Sequence, residues 1–169
     1  MGERRPLADP DGRVAVTKSE RASARAGAAA APVPRPPNRV HVVWKGGQRF
    51  DSGRPDGPVA RIDGNAETGP SPVDAVLGGL AACTSIDVVE ILVKRRTPVT
   101  ALEIEVAGTR VESTPRRLTH VELAFRITGA GIERAHAERA VELAITKYCS
   151  VRDSLRQDIQ IDWTVELSG

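Results

Sequence analysis

The sequence predicts a single α+β domain that follows an irregular amino-terminal segment. Short stretches in which apolar and polar residues alternate indicate β-strands, and two long stretches with apolar faces indicate helices. Along the chain these patterns give the order β-β-β-α-β-β-α-α-β, which is typical of an α+β architecture. With 169 residues, the chain is long enough to bury a core of its own.

The amino-terminal segment, residues 1–38, is predicted to be a disordered tail rich in Ala, Pro and Arg, and residues 39–169 are predicted to be the folded domain. The tail contains half of the twelve prolines and ends in the stretch PVPRPPN. Such a stretch is stiff and cannot continue a helix, because proline fixes one backbone dihedral and lacks an N–H donor.

Three short strands are predicted at the start of the domain, at 39–44, 48–52 and 58–63. The stretches KGG and GRPDG lie between them, and their glycines and aspartates are typical of turns that join neighbouring strands.

A long helix is predicted over 71–96. Ser71 is a favourable N-cap, Pro72 suits the first helical position, and Asp74 lies three residues after the cap, where it completes a capping box. A basic run and then Pro98 end the helix.

The first half of this helix is apolar on every side, which predicts that it is covered on every side. One sheet covers a single side, so we expect a second copy of the chain to cover the other, with Gly78 and Gly79 permitting close approach. The sequence therefore predicts a homodimer, although the second long helix could supply part of the cover.

The remaining elements follow the same reasoning. Alternating apolar and polar residues predict two strands at 101–108 and 119–129 and a last strand at 159–167. An apolar stripe predicts a second long helix at 132–148, and a short helix is predicted at 150–157.

Composition excludes several classes of function. The net charge of the chain is +2, and because residues 1–38 carry +3, residues 39–169 carry −1. With a nearly neutral domain and five aromatic residues in the whole chain, a nucleic-acid surface is not expected. The three histidines show no ligand spacing with each other or with the cysteines, so no metal site is expected. The longest uncharged helical stretch, 75–86, is too short to cross a bilayer, and no signal segment is apparent, so we expect a cytoplasmic protein without a membrane partner.

The two cysteines, Cys83 and Cys149, leave two interpretations open. A buried cysteine usually only packs as a small apolar residue. A reactive cysteine needs a neighbouring positive charge or amide donors to stabilise its thiolate, and Arg49 or Arg54 could supply the charge at Cys83. Cys149 lies directly before a short helix, whose first amides could stabilise an anion.

The stretches SPVDAVLGGLAACTSIDVVEIL and KYCSVRDSLR, with strands before, between and after them, resemble the OsmC/Ohr family of osmotically inducible and organic hydroperoxide resistance proteins. The resemblance covers residues 39–167. It implies an OsmC-like fold, with antiparallel sheets wrapped around two long central helices in an intertwined homodimer.

The resemblance also implies a cysteine-based peroxidase of peroxiredoxin type that takes part in the oxidative stress response and uses no metal or bound cofactor. It assigns Cys83 as the cysteine that attacks an organic hydroperoxide and Cys149 as the resolving cysteine. An external dithiol, such as a lipoylated protein, would reopen the disulfide. Arg49 would hold the thiolate, and Asp74 would orient this arginine unless it serves only as the helix cap.

Two other functions remain open on the same fold. The protein could bind a small hydrophobic ligand in an apolar cleft, with both cysteines as packing residues. Alternatively, the cysteine pair could act as a redox switch for partner binding.

Overall fold

A computed structural model describes residues 35–168 of the protein. The predicted disorder of the tail falls largely on residues 1–34, which lie outside the described residues, as does residue 169; residues 35–38 form neither helix nor strand. The predicted α+β class and the order of the elements are confirmed.

The first sheet contains three antiparallel strands in the order β1 (His41–Trp44), β2 (Arg49–Gly53) and β3 (Val59–Asp63). The turn between β1 and β2 contains Gly46 and Gly47, whose φ angles are +95° and +58°. These backbone conformations favour glycine, which explains the glycine pair predicted to form the turn.

Helix α1 (Pro72–Lys94) begins where the capping residues predict. The Ser71 backbone N–H donates to the Asp74 carboxylate at 3.0 Å, and the Asp74 N–H donates to the Ser71 hydroxyl at 3.3 Å. One stripe of the helix, with a spacing of four residues, is fully buried and faces the core: Leu80, Thr84, Val88 and Leu92.

The second sheet consists of β4 (Ala101–Arg110), β5 (Leu118–Thr128) and β6 (Gln160–Ser168). β4 and β5 are antiparallel, as predicted, whereas β5 and β6 are parallel. This exception to the antiparallel prediction has a topological reason, because the helical segment between β5 and β6 returns the chain to the end of the sheet where β5 began.

The second helical region differs from the single long helix that the sequence predicts. α2 (Arg134–Leu143) is followed by a π-helical turn (Ala144–Tyr148) and then by the short helix α3 (Ser150–Ser154). Small side chains on α2 let it approach α1 closely, and α2 also contacts β6. The buried core cluster includes residues of α1, β5 and α2: Leu80, Val88, Leu123, Phe125, Ile127, Ala137, Ala140 and Val141.

The opposite face of α1 is uncovered in the single chain. Val76, Ile86 and Val93 are 41%, 61% and 52% exposed, and a Cβ placed on Gly78 or Gly79 would meet no neighbouring atom within 4 Å. Among residues 35–168, α1 is the one helix that is long and apolar enough to cross a membrane. Core helices of soluble proteins also meet this criterion.

The segment that leads into α1 is organised by the buried carboxylate of Asp63. The backbone N–H groups of Asn65 and Thr68 each donate to it at 3.0 Å, and the Thr68 hydroxyl donates at 2.8 Å. Chiefly because of the Thr68 hydroxyl, the pKa of Asp63 lies below its usual value. This loop fixes the point at which α1 starts, and therefore the position of the helix that carries Cys83.

We expect Asp63→Ala to lower the melting temperature by roughly 5 °C or more, because three donors of the loop lose their buried acceptor. Since the folded pKa is depressed, the contribution of Asp63 is present at neutral pH and is lost as the pH falls through the acidic range. Thermal unfolding at neutral and at acidic pH measures both effects. The exposed Glu112 provides the control Glu112→Gln, and equal melting temperatures for the two variants would contradict the role given to Asp63.

Candidate active site

Cys83 lies in the fourth turn of α1 and is half-buried. It packs against the core together with its neighbours on the helix, but it is not part of the fully buried stripe. Both the start of α3 and the π-helical turn contact α1. Cys83 on α1 is therefore placed to meet the residues at the junction between the π-helical turn and α3.

Cys149 lies at that junction, between the π-helical turn and α3, and is 3% exposed. Its backbone N–H donates to the Ala144 carbonyl at 2.9 Å, which closes the wide π-turn. Its sulfur accepts the Arg152 N–H at 3.3 Å, so Cys149 itself is the N-cap of α3. The short helix therefore starts at residue 150, as predicted, with Cys149 in the cap position.

The two cysteines are brought together, although 66 residues separate them in the sequence. The Cys83 thiol lies close enough to the Cys149 thiol, the Ser150 side chain and the Val151 backbone N–H for these groups to act on its pKa. Burial raises the pKa of Cys83, but these three donors, led by the Val151 amide, outweigh burial and place the pKa below the usual cysteine value. Within residues 35–168, it is these donors that shift the pair towards the thiolate of Cys83.

The pKa of Cys149 is shifted in the opposite direction. It is raised to about 11, mainly because Cys149 is buried. The negative charge of Cys83 also raises this pKa, whereas the hydrogen bond from the Arg152 amide lowers it. The pair therefore holds its negative charge on Cys83, while Cys149 remains a neutral thiol that can donate a hydrogen bond.

We expect a thiol-alkylating reagent at neutral pH to modify Cys83 at least about tenfold faster than Cys149, because only the thiolate reacts. The rate at Cys83 should level off below the pH at which an ordinary cysteine titrates, about 8.5. Peptide mass spectrometry after timed reaction with iodoacetamide measures both rates. Equal modification of the two cysteines would show that the charge is not held at Cys83.

The two arginines that the sequence offers for Cys83 have other contacts in the chain. Arg49 lies on β2, is exposed, and donates from Nε to the Gly46 carbonyl at 3.4 Å. Arg54 is an exposed turn residue whose carbonyl accepts the Gly57 N–H. Within residues 35–168, no arginine is among the groups that shift the pKa of Cys83. The role of Arg49 at the thiolate stays a prediction.

Asp74 forms the capping box with Ser71 that the sequence predicts as its alternative role. It precedes Cys83 by nine residues, which places it about 13 Å away along the helix axis at 1.5 Å per residue. The orienting role predicted for Asp74 stays a prediction.

A cleft of about 640 Å³ borders Cys149. The π-helical turn and α3 form most of its lining, which includes Lys147, Tyr148, Arg152 and Asp153. This lining is more polar than the apolar cleft that the alternative of a hydrophobic-ligand-binding protein requires. Among the described residues, no three His, Cys, Asp or Glu side chains gather in a way that could hold a metal ion.

Sequence reasoning missed three contributors to this site. The Val151 amide and the Ser150 side chain act on Cys83, although the sequence linked the first amides of α3 only to Cys149. Asp87 also acts on Cys83, since its charge raises the pKa of that thiol. The signal for Asp87 was its spacing of four residues from Cys83, which places both on one face of a helix.

Sequence comparison relates most of the domain to known proteins. The sequence profile of a family described as "OsmC-like protein" matches residues 64–164. Protein YhfA of Escherichia coli K12 is 36% identical over 130 residues, which is 76% of this chain and 97% of YhfA.

Solved structures show the same fold. An OsmC-like protein from Mycoplasma pneumoniae has a TM-score of 0.68 and 18% identity over 79% of this chain and 99% of its own. The organic hydroperoxide resistance protein OhrB of Bacillus subtilis has a TM-score of 0.52 and 18% identity over 78% of this chain and 98% of its own. At this identity the likeness concerns the fold alone, whereas the profile match and the similarity to YhfA establish that the chain belongs to the OsmC-like family.

Proposed function

We propose that the protein reduces organic hydroperoxides through the thiolate of Cys83, with Cys149 as the resolving thiol. The observation that carries this proposal is the proximity of the two thiols at the start of α3, where nearby donors lower the pKa of Cys83 and burial raises that of Cys149. A pair of cysteines that only packed in the core would not need donors aimed at one sulfur.

The chemistry of the proposed cycle follows from these two states. The Cys83 thiolate attacks the distal oxygen of the hydroperoxide, the O–O bond breaks, and an alcohol and a Cys83 sulfenic acid result. The Cys149 thiol then attacks the sulfenic sulfur, and a Cys83–Cys149 disulfide forms with release of water. An external dithiol supplies two electrons and two protons to restore both thiols.

The relatives support an oxidant-related function of this kind. The Bacillus subtilis protein that shares the fold is named an organic hydroperoxide resistance protein. The polar cleft beside Cys149 offers space for a reductant such as the dithiol arm of a lipoylated protein. The cycle needs a reducing compartment, which agrees with the cytoplasmic location predicted from the sequence.

We further propose that the working unit is a homodimer. The exposed stripe of Val76, Ile86 and Val93 on α1 is an apolar surface that a second α1 would cover. The first sheet also exposes large apolar side chains, among them Val42 and Trp44. In such a dimer, Arg49 and Asp74 of one chain could approach Cys83 of the other, which would give both residues their predicted roles.

Removal of the resolving thiol tests the proposed cycle. We expect Cys149→Ser to react once with an alkyl hydroperoxide at a rate similar to that of the wild type, and then to lose at least about 90% of its steady-state turnover, because the sulfenic acid has no partner and oxidises further. The assay follows consumption of tert-butyl hydroperoxide with a dithiol reductant, and mass spectrometry identifies sulfinic acid at Cys83.

The same experiment separates the proposal from the two alternatives. Undiminished turnover in Cys149→Ser would contradict the resolving role. Wild-type protein that forms the disulfide without multiple turnovers would be a redox switch. Wild-type protein that shows neither disulfide nor turnover, and that retains a small hydrophobic molecule in native mass spectrometry, would be a binding protein.

A further inference from the structure

A basic surface adjoins the cleft beside Cys149. Its side chains come from two segments of the chain, the end of β4 with the loop that leads to β5, and α3 with the loop that leads to β6. All of these side chains are exposed except one, which is half-buried at the cleft. We call this surface the basic patch, and it consists of five arginines: Arg110, Arg116, Arg117, Arg152 and Arg156.

Ion pairs and hydrogen bonds hold the two segments of the basic patch against each other. The Asp158 carboxylate accepts from Arg156 at 2.9 Å and 3.0 Å, and it lies 3.6 Å from the Arg117 guanidinium. In the loop after β4, the Nε of Arg110 donates to the Arg116 carbonyl at 2.7 Å. Arg116 contributes only its carbonyl to these contacts, so its charge faces solvent on a surface whose backbone is held in place.

Arg152 joins the basic patch to the cleft. It is one of the residues that line the cleft of about 640 Å³ beside Cys149. Its guanidinium donates to the Arg156 carbonyl and to the Ile159 carbonyl, both at 3.3 Å. Gln157, from the same loop, also lines the cleft. A partner that binds to the patch would therefore have the cleft, and the cysteine in its wall, within reach.

The basic patch is more positive than the domain that carries it. Residues 110–117 and 147–158 contain six basic and three acidic residues, a net charge of +3, whereas residues 39–169 as a whole carry −1. A patch of this kind attracts an acidic partner and speeds its encounter. Because 110–117 and 150–158 contain no aromatic residue on which a base could stack, an acidic protein suits this surface better than a nucleic acid.

Resting on the proposed function, we propose that the basic patch is the docking surface for the protein that reduces the Cys83–Cys149 disulfide, and that this reductant carries acidic side chains around its dithiol arm. One thiolate of the arm attacks the disulfide, the S–S bond breaks, and a mixed disulfide forms as one cysteine leaves. The second thiol of the arm then displaces the other cysteine. The arm ends as a disulfide, and its two electrons and two protons have passed to the cysteine pair.

Two synthetic peptides that carry dihydrolipoyl-lysine test the charge requirement, one flanked by glutamates and the other by glutamines. Full-length protein is first oxidised with tert-butyl hydroperoxide, and the rate at which each peptide restores the free thiols is measured. We expect the acidic peptide to be at least about tenfold faster than the neutral peptide at low salt. The difference should disappear at about 1 M KCl, where a charge acts over only about 3 Å.

Arg116→Glu reverses one charge of the basic patch without removing a side-chain contact. We expect the rate with the acidic peptide to fall roughly fivefold, and the rates with the neutral peptide and with dithiothreitol to stay at the wild-type value. Arg116→Lys should keep the wild-type rate with the acidic peptide, because it keeps the charge. Arg139→Glu is the matched control, since it makes the same change of charge at an exposed position on α2, outside the patch.

Equal rates for the two peptides at low salt, or equal losses in Arg116→Glu and Arg139→Glu, would overturn the docking role of the basic patch. Binding of a labelled single-stranded oligonucleotide that Arg116→Glu weakens would also overturn it, because the patch would then serve a nucleic acid. These results would leave the proposed function intact, since turnover of tert-butyl hydroperoxide with dithiothreitol measures that function separately. If wild-type protein formed no disulfide with the hydroperoxide, the proposed function would fail, and the docking role with it.

Discussion

Replacing Cys83 by serine is expected to remove hydroperoxide reduction. Serine is nearly isosteric, but its hydroxyl is not ionised by the hydrogen bonds that favour the Cys83 thiolate, and oxygen cannot pass through a sulfenic acid. We expect the rate of tert-butyl hydroperoxide consumption in the presence of a dithiol to fall at least about 1,000-fold, to the level of the buffer reaction. The fold should persist, because Cys83 is half-buried and outside the fully buried stripe of α1.

The matched control for this variant is Ala82→Ser, which introduces the same hydroxyl one position earlier, at an exposed site on α1. We expect Ala82→Ser to keep the wild-type rate. Circular dichroism should show the same helix content for both variants. Retained turnover in Cys83→Ser, with Cys149 as the remaining thiol, would mean that the roles of the two cysteines are reversed or that the reaction does not use them.

Replacing Ile86 by arginine is expected to separate the proposed dimer into monomers. Ile86 is 61% exposed in the single chain and lies in the middle of the uncovered stripe of α1, so the substitution leaves the fold of each chain intact. In a symmetric dimer the change occurs twice, and each new guanidinium would be buried without a partner. A buried unpaired charge costs roughly 3–5 kcal/mol, which weakens association at least about 1,000-fold.

Sedimentation velocity or light scattering coupled to size exclusion measures this effect. Glu112→Arg is the control, since it adds the same side chain at an exposed position in the loop between β4 and β5. We expect the wild type and Glu112→Arg to be dimers and Ile86→Arg to be a folded monomer. A monomeric wild type, or an Ile86→Arg protein that remains dimeric, would show that this face of α1 is not the interface.

Much of the fold could be predicted because local chemistry specifies it. Ser71 and Asp74 mark the start of α1 through a capping box that the structure contains. The alternation of apolar and polar residues in β5 matches its pattern of buried and exposed positions. These signals depend on neighbours within a few residues, so the sequence displays them directly.

The features that escaped prediction depend on distant or backbone groups. The parallel pairing of β5 and β6 depends on the path of the helical segment between them, which alternation does not encode. The π-turn at Ala144–Tyr148 contains one residue more than a regular helical turn and has no residue-type signature. The same holds for the Val151 amide, because every residue except proline has such a donor.

The candidate site could be predicted only in part, for the same reason. The sequence identified Cys83 and Cys149, and the family resemblance suggested that they act together, but no local pattern shows that two sulfurs meet across 66 residues. For the thiolate the sequence offered a cation, Arg49, since a cation is recognisable by residue type. Within the described chain, donors at the start of α3, led by the Val151 amide, lower the pKa of Cys83.

The central claim is that the two thiols form one reacting pair within a chain, and disulfide mapping tests it most directly. Reduced protein is treated with one equivalent of tert-butyl hydroperoxide, the remaining thiols are alkylated, and the digest is analysed by mass spectrometry without reduction. We predict a single cross-linked species in which the peptide of Cys83 is joined to that of Cys149, together with the loss of both free thiols. Two freely alkylated cysteines after complete exposure to the oxidant, or a sulfinic acid at Cys83 beside an unmodified Cys149, would contradict the account.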